Sequence, residues 1–116
     1  DVVVISPYLN KTSENLIDYP LLYLMKKNSL LVNTSRGEVV NETDLISFIK
    51  KRKDVFVNLD VIQGEQKNLK NNRLIKLSMQ NNNLLITPHI AGLTYESQLK
   101  AGNFSINKII DFFNLN

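Results

Sequence analysis

His89, Glu65 and Arg36 are the residues with which this chain could move a proton and hold an anion. Imidazole titrates near neutrality, so the single histidine can both take and return a proton. A carboxylate beside it, such as Glu65, favours the imidazolium form, fixes the tautomer and holds the ring in place. Arg36 offers a charged planar fork matched to a carboxylate, and Gly37 after it is expected to let the backbone come close to a ligand. Together they suit an anionic substrate that gains or loses a proton. Singly, each has a plainer reading. A lone histidine is more often structural than catalytic, an arginine after a strand is usually surface charge, and Asp60 could cap a following helix. Position separates the two readings.

Each of these residues follows a short apolar run. The runs are Val2 to Ile5, Leu30 to Val32, Val55 to Val57 with Leu59, and Leu84 to Ile86. They are nearly continuous rather than alternating, as in parallel strands covered on both faces, and they recur at the roughly 30-residue spacing of a strand-helix-strand unit. Helical patterns lie between them. Pro20 sits in the first turn of a segment carrying Leu21, Leu22, Leu24 and Met25. Asn41 reads as an N-cap ahead of Leu45, Phe48 and Ile49, with Glu42 and Asp44 in the first turn. Leu69 to Gln80 forms a less regular helix, broken near its start by Asn71-Asn72, and Thr94 caps a long final helix through Leu99, Ile106, Ile109, Ile110 and Phe113. The order predicts an α/β fold: four strands alternating with helices, the second half of a doubly wound, Rossmann-type parallel sheet. In such sheets ligands bind outside the carboxyl ends of the strands. Those ends read Ser6-Pro7, then Asn33-Thr34-Ser35-Arg36-Gly37-Glu38, then Asp60 with Glu65, then Thr87-Pro88-His89-Ile90-Ala91-Gly92.

The 116 residues are 43% hydrophobic and 22% charged, which suits one packed domain and not a disordered chain. With no cysteine, a disulfide framework, a thiolate metal site and a thiol nucleophile are all excluded; no metal site is expected. No apolar stretch reaches the ~18 to 20 residues of a membrane span and no signal-peptide pattern opens the chain, so a soluble, cytoplasmic protein without a membrane partner is expected. The net charge of +3 gathers only at Lys50 to Lys53, where cations suit the end of the preceding helix. Without an aromatic platform or a clustered basic face, nucleic acid is not an expected partner.

These stretches, in this order, resemble the C-terminal half of the NAD-binding domain of the D-isomer-specific 2-hydroxyacid dehydrogenases, the family of D-3-phosphoglycerate, glycerate and D-lactate dehydrogenases. The segments that carry the resemblance are Leu24 to Lys27 with Leu31 to Val40, Leu59-Asp60-Val61 with Glu65, and Thr87 to Gly92. The resemblance implies that Arg36 binds the carboxylate of a small anionic 2-hydroxy or 2-keto acid, and that His89, paired with Glu65, is the acid-base group as hydride passes between C2 and the nicotinamide. It places Ser6, Pro7, Thr34, Ser35, Arg36, Asp60, His89, Ala91 and Gly92 around the nicotinamide end of NAD, with NADP not excluded, Asp60 meeting the carboxamide. It also implies a homodimer of the full-length protein. The match departs at Ser6-Pro7, where the family usually has His or Asn, any residue, then Pro-Leu-Thr, and at Gln66, where it often has proline.

No GxGxxG turn is present for a pyrophosphate and no acid follows ~20 positions later for the ribose hydroxyls. The chain reads as part of something longer, with residues 1–93 forming the half-domain and 94–116 a helix returning toward a substrate domain. The first strand would lie at an edge lacking its neighbour and invite association. Two functions remain open from the sequence: a fragment of a dehydrogenase, inactive by itself, or a non-catalytic binding or regulatory module or truncated remnant on the same fold.

Overall fold

The computed structural model describes residues 1–67 and 69–114; the end of the 94–116 segment lies outside them. Four strands, β1 (Val2–Ile5), β2 (Leu30–Asn33), β3 (Phe56–Leu59) and β4 (Leu84–Ile86), form one sheet in the order β1-β2-β3-β4. All pairs are parallel, with Val4 opposite Val32, Val32 opposite Asn58 and Asn58 opposite Leu85. The helices are α1 (Tyr19–Tyr23), α2 (Glu42–Lys51), α3 (Arg73–Ser78) and α4 (Tyr95–Phe113), with single 3-10 turns at Gly37–Val39 and Leu69–Asn71. The alternation expected from the sequence is therefore present.

Local chemistry explains the boundaries. The Asn41 side chain accepts from the Asp44 N–H at 3.1 Å and starts α2, and the Thr94 hydroxyl accepts from Ser97 N–H and starts α4. The segment read as one helix from Leu69 to Gln80 is divided. Asn72 is extended, and its side chain accepts from the N–H groups of Leu74 and Ile75, so an amide that competes with the backbone makes a new helix start rather than a helix interior. α1 is also shorter than its apolar pattern: Leu24 and Met25 donate three residues back, to Leu21 and Leu22, and the chain then turns at Asn28 with φ 57°.

The apolar runs imply strands covered on both faces, and here the structure differs. Leu22, Leu45, Phe48, Ile49 and Leu74 from α1, α2 and α3 pack against Ile5, Leu31, Val57, Leu59 and Leu84 on one face. On the other face Val2, Val4, Phe56 and Leu85 are all more than half exposed. Crossovers of one hand between strands laid down in sequence order place every connecting helix on the same side, so α1 to α3 can cover only one face. α4 has no buried residue. β1 is an edge strand, as expected, and Val3 beside Val2 and Val4 is also exposed.

The basic run at residues 50–53 has a structural explanation. Lys50 and Lys51 lie in the last turn of α2. Arg52 forms a forked pair with Asp54, Nε to Oδ1 at 2.9 Å and Nη2 to Oδ2 at 2.8 Å, and also donates to the Met25 carbonyl. The hydrogen bond from Arg52 holds the Asp54 carboxyl down at about 2. A folded-state value below the ordinary ~3.9 of an aspartate means that the pair contributes fully above that value and is lost as pH falls toward 2. Asp54→Asn is therefore expected to flatten the dependence of the urea midpoint on pH between about 4 and 2; a slope equal to wild type would assign that loss to other groups.

Candidate active site

Two buried polar residues end the central strands and organise the loops beyond them. Asn33, 1% exposed at the end of β2, accepts through Oδ1 from the Ser35 N–H and hydroxyl, both at 3.0 Å, and donates through Nδ2 to the Arg36 carbonyl at 3.0 Å. This Asx-type turn fixes the loop that carries Arg36, whose guanidinium stays exposed and donates to the Ser35 carbonyl. Asn33 was missed as a site-building residue by sequence reasoning, although an asparagine two positions before a serine at a strand end is the available signal.

Asp60, one residue past β3, is 5% exposed. It caps no helix. Oδ1 accepts from the Thr87 hydroxyl and the Ile90 N–H, the latter at 3.0 Å, and Oδ2 accepts from the Ala91 N–H at 2.9 Å. Burial pushes its carboxyl up, but the bonds from Thr87, Ala91 and Ile90 and the nearby His89 outweigh burial and hold it below the usual carboxylate range.

His89 and Glu65 meet beyond these anchors. Their Nδ1 and Oε1 atoms are 2.6 Å apart, with the side chains 47% and 28% exposed. Gly64 at φ 64° bends the chain back, so that Oε2 of Glu65 also lies 3.5 Å from the Ile62 N–H. With Nδ1 engaged by the carboxylate, Nε2 is the ring nitrogen left for a ligand. Arg36, Glu65 and His89 line one cleft of about 380 Å³ together with Leu9, Glu38 and Lys67. A second cleft of about 450 Å³ is also lined by Glu65 and His89, with the apolar Ile62, Leu69, Ile75, Ile86 and Pro88 and the polar Asp60 and Thr87. The structure thus brings the three expected catalytic residues together.

The remaining expected contacts are distributed along the same sheet edge. Ser6, Thr34, Ala91 and Gly92 are exposed and Pro7 and Ser35 half-buried, and none of them lines either cleft. Gly37 needs correction: it does not open the backbone to a ligand. A Cβ there would meet the backbone of Ile62 and Gln63, so the glycine lets the Arg36 loop pack against the loop leading to Glu65. The other three glycines, Gly64, Gly92 and Gly102, have open space around the missing Cβ, so among the described residues no glycine forms a tight phosphate cradle. Three loops, two clefts and a histidine–carboxylate pair thus gather at the carboxyl edge of a parallel sheet, where such sheets bind their ligands. Among the described residues no helix is long and apolar enough to cross a membrane, and no three metal-binding side chains gather.

A parallel α/β sheet with this edge is half of a Rossmann-type nucleotide-binding domain. Residues 1–91 match the family described as D-isomer specific 2-hydroxyacid dehydrogenase, NAD binding domain, and the chain belongs to that family. It is 33% identical over 101 residues to erythronate-4-phosphate dehydrogenase of Blochmanniella floridana, covering 87% of this chain and 25% of that protein. Among solved structures it is similar to D-lactate dehydrogenase with NAD+ from Lactobacillus jensenii, with TM-score 0.73 and 28% identity over 84% of this chain and 32% of that one. It is also similar to an acyclic imino acid reductase in complex with NADPH and D-Arg, with TM-score 0.76 and 28% identity over 99% of this chain and 35% of that one. The chain spans about a quarter to a third of the length of these relatives.

Proposed function

We propose that this chain carries the catalytic residues of an NAD-dependent oxidoreductase acting on a small D-2-hydroxy acid, with His89 as the acid-base group. The observation that carries the reading is the 2.6 Å pair of His89 Nδ1 and Glu65 Oε1 opening into the cleft that Arg36 also lines. NAD, when bound, supplies the hydride acceptor. Ser6, Pro7, Thr34, Ser35, Arg36, Asp60, His89, Ala91 and Gly92 are the residues proposed to hold its nicotinamide end, with NADP as the alternative cofactor. Arg36 binds the substrate carboxylate and polarises the oxygen on C2. His89 takes the hydroxyl proton at Nε2 as C2 is oxidised to the keto acid, and returns it in the reverse direction. Glu65 fixes the tautomer that leaves Nε2 free and offsets the charge on the protonated ring. Residues 94–116 are proposed to return to the substrate-binding part of a full-length, homodimeric protein.

The test is nicotinamide reduction by the full-length protein across a series of D-2-hydroxy acids with both cofactors, repeated with Arg36→Lys. Lysine keeps the charge and loses the fork. The loss of one charge-assisted hydrogen bond, ~1.5 to 3 kcal/mol, predicts a KM for the hydroxy acid raised roughly 10- to 150-fold, with the KM for NAD little changed. Absence of turnover on every acid, or an unchanged KM in the variant, would remove the assignment.

A further inference from the structure

We propose that Gln63 and Asn72 are positioning residues, side-chain amides that tie the loop carrying Glu65 to the starts of α2 and α3 and so set where the carboxylate meets His89. This deepens the proposed function and rests on it for its kinetic consequence. Nε2 of the half-buried Gln63 donates to the Val40 carbonyl at 3.2 Å, one residue before the cap of α2. The Gln63 carbonyl in turn accepts from Asn72 Nδ2 at 3.4 Å. Asn72 uses its other end as the cap of α3, with Oδ1 accepting from the Leu74 and Ile75 N–H groups at 2.8 and 3.2 Å. An amide serves both tasks because it carries a donor and an acceptor on one group. Gln63 is therefore held from two sides, its side chain to one helix start and its backbone to the other.

The tether matters because the next residue is a loose joint. Gly64 lies at φ 64° with open space around its missing Cβ, and glycine keeps more backbone freedom than any other residue. Beyond it, the loop's own backbone supplies the bond from the Lys67 N–H to the Gly64 carbonyl at 2.9 Å. Glu65 is thus placed by what fixes the chain just before the glycine. Its Oε1 lies 2.6 Å from His89 Nδ1, and a swing of the loop by about 1 Å takes the pair out of hydrogen-bonding range. With Glu65 moved away, the proton of the neutral ring is free to sit on either nitrogen, and Nε2 is no longer kept as the acceptor for a substrate hydroxyl. Arg36 is spared, because its loop is organised by Asn33.

The experiment uses Asn72→Asp and Gln63→Met in the full-length protein. Aspartate keeps the cap of α3, a position where Asn and Asp serve equally, and loses the donor to Gln63. Methionine keeps the length of the side chain and loses the donor to Val40. The first readout is the pair of nitrogen NMR shifts of the His89 ring, assigned by their loss in His89→Ala and taken with the ring neutral, without substrate or cofactor. Wild type is expected to show the Nδ1–H tautomer, and each variant a mixture of the two. In turnover, kcat is expected to fall about 10-fold, near the upper end of what one hydrogen bond contributes, with the KM for the hydroxy acid little changed and the urea midpoint of Asn72→Asp kept. Should Asn72→Asp lower that midpoint, Gln63→Met, which touches no helix cap, decides. Wild-type ring shifts in the variants would overturn the proposal, whatever their turnover. If the unmodified protein oxidises no hydroxy acid, the functional reading fails, and the ring shifts alone still decide whether the two amides place Glu65.

Discussion

His89→Ala in the full-length protein is expected to lower kcat by about 10²- to 10⁴-fold, the range that a positioned acid-base group contributes, while NAD continues to bind. The size of the effect follows from the absence of a substitute. The chain has one histidine and no cysteine, and the nearest carboxylate, Glu65, is the partner of the lost ring rather than a second proton carrier facing the substrate. The dissociation of effects is equally diagnostic. Thr34 and Ser35, proposed to hold NAD, lie on a different loop, organised by Asn33, and do not depend on the imidazole. Stopped-flow hydride transfer and NAD titration on the same preparation check both parts. Wild-type turnover would remove His89 from the chemistry, and a loss confined to NAD affinity would move it from acid-base work to cofactor binding.

Gly37→Ala is expected to destabilise the domain by about 3 kcal/mol, the upper part of the ordinary range for overpacking. A Cβ at this position would sit against the carbonyl carbon and oxygen of Ile62 and the nitrogen of Gln63, all inside the 3.0 Å that such contacts respect. The neighbours are backbone, not the ends of flexible side chains, so relief requires two loops to part. Those loops carry Arg36 on one side and Glu65 on the other, and the variant should therefore lose activity under conditions where it remains folded. Urea unfolding gives the first quantity, and kinetics well below the midpoint give the second. An unchanged midpoint would mean that the loops separate without cost, and that their close contact is incidental to the site.

The same glycine shows where local reading stops. From the sequence, Gly37 after Arg36 looks like room for a ligand, because a missing side chain reads the same whatever fills the space. Asp60 poses the same ambiguity, and its partners Thr87, Ile90 and Ala91 lie 27 to 31 residues away. No periodicity or motif within one element records a hydrogen bond of that separation. Asn72 was visible as an interruption but not as a cap, since a helix start and a helix break use the same short amide side chain.

The sequence alone determined the alternation of four strands with helices, the caps at Asn41 and Thr94, and the convergence of Arg36, Glu65 and His89 on one edge. Apolar period, capping side chains and strand-end placement are local, and a parallel sheet turns equal chain spacing into shared position. Only the tertiary structure decided which face of the sheet is covered, that Gly37 serves loop-to-loop packing, and that Asn33 and Asp60 hold the loops carrying Arg36 and His89. Each of those depends on which distant backbone comes within hydrogen-bonding or van der Waals reach, a property of the assembled strands and not of any stretch of them.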